Sequence, residues 1–123
     1  MAADFTLKHL AEVDDSAAKA GIGDRQEARP ASDALDLDQV GLSFHRVKPG
    51  MRQAFGHRHG EAEEVYVVVG GSGRVKLDDD VVAVNRLDAI RVAPGVVRAF
   101  EGGADGLEYV AADDAAVLPG WWD

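Results

Sequence analysis

An all-β fold, closed or doubled over into a barrel or sandwich, is what this sequence predicts, and three observations predict it. From Val40 onward, short segments rich in Val, Phe, Tyr and Ile recur roughly every ten positions. Between them lie clusters that set or tolerate turn dihedrals: Lys48-Pro49-Gly50, Gly70-Gly71-Ser72-Gly73, Asp78-Asp79-Asp80, Ala93-Pro94-Gly95 and Gly102-Gly103-Ala104-Asp105-Gly106. With 123 residues, 46% of them hydrophobic and 28% charged, the chain has enough side chain to fill one core, and a second is not expected.

Taken in order, the first 38 residues fit neither the helical nor the strand period over a long window. Asp15 and Ser16 before Ala17-Ala18-Lys19-Ala20, with Gly21 after, read as a helix of one or two turns with an N-cap and a glycine stop. The stretch from Gly23 to Asp38 contains Pro30 and is expected to hold one edge strand between loops. Strands are then expected at 40–47, 53–58, 64–69, 73–77, 81–84, 89–92, 97–100 and 107–111. So many short antiparallel strands leave exposed edges unless the sheet closes or doubles over, and a jelly roll is one way to do so.

Composition removes several functional classes. Thirteen basic against 22 acidic side chains give a formal charge of -9, and no Lys/Arg stripe is present to follow a phosphate backbone, so nucleic acid is not an expected partner. The apolar run 65–69 is far shorter than the ~20 residues that cross a bilayer, so no membrane partner is expected. The N-terminus lacks the basic-then-apolar order of a signal peptide, which makes the cytoplasm the expected compartment. Cysteine is absent, so thiolate ligands, disulfides and Cys nucleophiles are excluded.

The chemistry-bearing stretch lies between Gly50 and Gly71, where His57, His59 and Glu64 fall within eight residues. Strand side chains alternate faces, so His57 and His59 point to one side while Arg58 points away. Glu64, Tyr66 and Val68 share a face of the next strand, and antiparallel pairing would bring Glu64 beside the histidines. Two imidazoles and a carboxylate form a facial set suited to iron, manganese, nickel or zinc, with positions left open for substrate or water.

This stretch resembles the first motif of the cupin superfamily: a glycine, His-x-His, three or four residues, Glu, six residues and Gly. His57, His59, Glu64 and Gly71 match that spacing, whereas Gly50 sits one residue further from His57 than the family pattern has it. The resemblance covers about residues 40 to 112. It implies a double-stranded β-helix, or jelly-roll, barrel over 39–112, with 1–38 as an N-terminal extension of the same domain and 113–123 as a tail packed on the barrel or a partner. It also implies a homodimer. Cupins include dioxygenases, isomerases and non-catalytic binders, so no catalytic residue follows from the resemblance.

The second cupin motif is matched loosely by the stretch from Leu87 to Gly102. Gly95 holds its position with Pro94 beside it, and Arg98 stands where the family has its last metal-binding histidine. A guanidinium stays protonated and has no lone pair to give, so Arg98 cannot be a ligand. Two outcomes are open. His57, His59 and Glu64 hold a metal while Arg98 faces an acidic small-molecule ligand, or Arg98 pairs with Glu64 and takes the metal's place. Tyr66, Gln53 and Phe100 are candidate ligand contacts beside Arg98. His45 either adds a polar group to the cavity or sits on the outer surface, the latter favoured, and Trp121 and Trp122 are expected to cover the barrel or a partner subunit.

Overall fold

The computed structural model describes residues 3–54, 56, 58 and 62–114. The 3-10 turn Leu10–Glu12 and the helix α1 (Ser16–Lys19) precede six strands: β1 (Gln26–Pro30), β2 (Val40–Val47), β3 (Glu64–Leu77), β4 (Asp80–Asn85), β5 (Ala89–Val92) and β6 (Arg98–Asp114). All pairings are antiparallel, in the order β1-β2-β6-β3-β4 with β5 on the far side of β3. No helix among the described residues is long and apolar enough to cross a membrane.

The short helix forms as its residues predict. The Asp15 carboxylate caps it by accepting from Ala17 N at 3.0 Å, and Gly21, at φ +81°, ends it. The same Asp15 oxygen accepts from Ala28 N at 2.9 Å, which ties the helix to β1. β1 is the edge strand expected in this region, and Pro30 sits at its last position, where the missing N–H costs no inner ladder bond.

Two expected strand breaks are instead bends within long strands. β3 runs unbroken from Glu64 to Leu77 and β6 from Arg98 to Asp114, and their ladder shifts register between Val68 and Gly70 and again between Gly71 and Gly73. The glycines permit this rather than end the strands. A Cβ at Gly71 would lie 2.0 Å from the Gly106 carbonyl oxygen, and one at Gly73 would lie 2.0 Å from that of Glu101. Only a bare backbone lets the two strands approach so closely.

The bend folds the sheet over its own inner face. Phe100 and Tyr109 lie on one strand, where nine extended residues would separate them by about 30 Å, yet their rings stack at 4.2 Å. One half of the fold is β1, β2, the end of β6, the start of β3 and β5; the other is the start of β6, the end of β3 and β4. Val47, Tyr66, Val68, Val75, Val84, Val92, Phe100, Leu107, Tyr109 and Ala111 form the core between them.

The strand expected at 53–58 is not found among its described residues. Arg52 makes one isolated bridge to Glu101, Gln53 N donates to Phe100 O at 3.0 Å, and Ala54 N turns away to the Gln26 side chain at 2.8 Å. That last bond takes the place of a ladder bond, so the pairing stops. Asp113 and Asp114, at the start of the expected tail, belong to β6 opposite Glu64 and Val40. The tail tryptophans Trp121 and Trp122 lie outside the described residues.

Candidate binding site in the barrel interior

The strand period decides which side chains reach the interior. On β3, Glu64, Tyr66 and Val68 are buried at 2%, 1% and 0% exposure, while Val65 and Val69 face solvent. On β6, Arg98 at 0% and Phe100 at 1% point inward from the first half, and Leu107, Tyr109 and Ala111 do so from the second. Gln53, on the chain beside β6, is buried as well. Four side chains predicted for the interior, Glu64, Tyr66, Arg98 and Phe100, are thus placed there with it. His57 and His59, the other two candidate metal ligands, lie outside the described residues.

Glu64 is held by polar neighbours. The Tyr66 hydroxyl donates to its Oε1, and Asp113, its partner across the ladder, hydrogen-bonds it through the carboxyl. Burial raises the Glu64 pKa, while the bonds to Tyr66 and Asp113 and the positive field of Arg98 pull it down; burial prevails. Burial likewise lifts both buried phenols above the ordinary tyrosine value, with the Glu64 charge adding to the effect, so Tyr66 and Tyr109 stay protonated.

Arg98 is the least satisfied group of the interior. Its Nη2 donates to Ala93 O at 3.2 Å, on the turn that carries Pro94 and Gly95. Its Nε and Nη1 are buried with no hydrogen-bond partner among the described residues. No ion pair within 4 Å joins it to Glu64 among the described residues, so its effect there is carried by its field.

Both ends of the Gln53 amide are engaged within the fold. Its Oε1 accepts from Phe100 N at 2.9 Å and its Nε2 donates to the Tyr109 hydroxyl at 2.7 Å. It therefore bridges the two halves of bent β6. Phe100 packs in a ring cluster, stacked on Tyr109 and edge-on to Tyr66 at 5.1 Å.

His45 is inward, contrary to expectation. Gly41, Ser43, His45 and Val47 share the inner face of β2, and His45 is 6% exposed, stacked on Tyr109 at 4.9 Å with Nε2 2.8 Å from Ser43 Oγ. The phase of β2 was readable from Val47, since an apolar residue at that end puts His45 on the core side. Tyr109, buried, and Asp113, half-buried with its Oδ2 enclosed, are two further inward polar residues that sequence reasoning missed. Both lie at alternate positions from Leu107, the pattern that could have found them.

Among the described residues no group of three or more His, Cys, Asp or Glu converges to hold an ion. A ligating Glu64 would have to ionise against its burial, in the field of a guanidinium that already supplies one positive charge. The described residues alone do not fit a metal.

No family model matches the sequence, and no curated protein matches it. Solved structures do. A cupin protein from Bacteroides fragilis superposes with a TM-score of 0.73 at 20% identity, over 98% of this chain and 92% of its own. A sugar phosphate isomerase of the cupin superfamily from Silicibacter pomeroyi gives 0.64 at 19% identity, over 74% of this chain and 60% of its own. An oxalate decarboxylase from Bacillus subtilis gives 0.71 at 18% identity, over 93% of this chain and 30% of its own. The chain has the cupin fold, an all-β jelly-roll barrel with a short helix before it.

Proposed function

We propose that the barrel interior binds a small acidic molecule through Arg98. The observation that carries this is a fully buried guanidinium whose Nε and Nη1 have no hydrogen-bond partner among the described residues. Unmet buried donors cost about 1–3 kcal/mol each, more on a charged group, and an enclosed carboxylate or phosphate recovers that cost through a bidentate pair. Burial raises the pKa of Glu64, so this neighbour opposes an anion less than an exposed carboxylate would. Two proteins of the same fold are named for acids, a sugar phosphate and oxalate, which supports the class of ligand.

The test is thermal unfolding of wild type and Arg98→Met with oxalate, acetate, glycolate or inorganic phosphate. A ligand that binds only the folded state raises the midpoint with concentration. The expected result is a rise in wild type that Arg98→Met loses. Equal rises in both proteins, or none in wild type, overturn the reading.

A second reading has the spacing of His57, His59 and Glu64 in its favour: a divalent iron, manganese, nickel or zinc ion held by these three, beside an acid bound at Arg98, as in an enzyme of dioxygenase or isomerase type. Such a metal would polarise the bound acid or activate oxygen. Elemental analysis of protein purified without a nickel column, together with unfolding in the presence of each ion, tests it; no bound metal and no shift remove it. The acid-binding reading does not depend on this outcome.

A further inference from the structure

We infer that Tyr109 is a second ligand-binding residue, whose hydroxyl donates to an acceptor on the acid held at Arg98, so that the site selects acids carrying a hydroxyl or carbonyl beside the anionic group. This deepens the proposed acid-binding function and rests on it. The argument begins with Gln53, whose amide orientation is not free. Phe100 N donates to Oε1 at 2.9 Å, so the other end of the amide, Nε2, must face the Tyr109 oxygen at 2.7 Å and donate to it. The Tyr109 oxygen is therefore an acceptor in that bond, and its own proton is directed elsewhere.

No acceptor for that proton lies within hydrogen-bond distance among the described residues, although Tyr109 is fully buried. The neighbouring phenol differs: the Tyr66 hydroxyl donates its hydrogen bond to Glu64. Burial keeps the Tyr109 phenol protonated, so it remains a donor at any physiological pH. Its ring is held on both faces, by His45 at 4.9 Å and Phe100 at 4.2 Å, which fixes the direction of the hydroxyl. Arg98 is the inward neighbour of Phe100 on β6, and Phe100 stacks on Tyr109 at 4.2 Å, so the two side chains with unmet donors lie in one neighbourhood. Every unmet donor there calls for an acceptor, and two donors call for a ligand with two accepting groups.

The matched probes are acetate and glycolate, which carry the same charge and differ by one hydroxyl. Affinities are read by ligand-observed NMR titration of wild type, Tyr109→Phe and Arg98→Met. The expected result is that wild type prefers glycolate by about fivefold, the factor one hydrogen bond supplies. Tyr109→Phe brings the ratio to about one, and Arg98→Met binds neither acid. Loss of the preference, rather than loss of affinity in general, is a readout that a merely structural hydroxyl would not move. Should Tyr109→Phe not fold, Gln53→Glu keeps the shape and offers the phenol an acceptor of its own, and it too should erase the preference. A wild type without preference, or a preference that survives both substitutions while Arg98→Met binds nothing, overturns the role of Tyr109 and leaves the acid site standing. Equal binding by Arg98→Met, or no binding by wild type, overturns both.

Discussion

At Arg98 a single side chain carries both a cost and a capability. Its charge is wholly buried, one nitrogen is met by Ala93 O, and two nitrogens are unmet. Without ligand, Arg98→Met is expected to raise the unfolding free energy by about 1–3 kcal/mol, since it removes unsatisfied donors and keeps most of the volume. Urea denaturation checks this, and a destabilised variant would mean the charge is compensated. At Glu27 the balance runs the other way. Burial would raise its carboxyl, but hydrogen bonds from Arg29 and Arg46 outweigh it and hold the pKa below 4.5. A carboxylate depressed in the folded state adds stability that is present above its unfolded pKa and lost as pH falls through the folded one. Glu27→Gln should therefore be less stable than wild type at neutral pH, with the gap closing under acid conditions; a gap independent of pH would refute the assignment.

Among the elements, the bend shared by β3 and β6 carries the most consequence. It sets Glu64 and Tyr66 against residues from both ends of β6. At Gly71 the backbone has φ +67° and no room for a Cβ beside Gly106 O. Gly71→Ala is expected to cost at least about 3 kcal/mol, from a left-handed dihedral and an overlap with backbone that cannot yield. Gly50→Ala is the control: its φ is +69° but its Cβ position is open, so only the dihedral term of about 1–2 kcal/mol applies. Comparable losses at both positions, measured by chemical denaturation, would mean that the close approach is not what the glycine serves. The sequence marked these glycines as turn residues, because a glycine that permits close approach and one that reverses the chain are identical in sequence.

For the whole molecule, the long strands imply cooperativity. Because β3 and β6 each run through both halves, neither half keeps its hydrogen-bond ladder when the other opens. Val75→Ala, at a fully buried position in the β4 half, should cost about 2–3 kcal/mol and lower the midpoint by the same amount whether the readout is β2 or β4 amide exchange. Separate transitions for the two strands would show that the halves unfold independently.

What the amino acids settled unaided is the local pattern: β2 and β5 at their observed limits, the capped helix before β1, the turns at Pro49, Asp78 and Pro94, and the inward set of Glu64, Tyr66, Arg98 and Phe100. The elements and turns follow from dihedral preference and the two-residue period, both properties of neighbouring residues, and the inward set follows from that period together with the resemblance to the cupin motifs. Tertiary structure decided that Gly70–Gly73 and Gly102–Gly106 bend strands instead of ending them, that Gln53 clamps Phe100 to Tyr109, and that His45 and Asp113 face inward. Each of these depends on a partner remote in sequence, and hydrogen-bond donors find such partners only when the sheet has folded over itself.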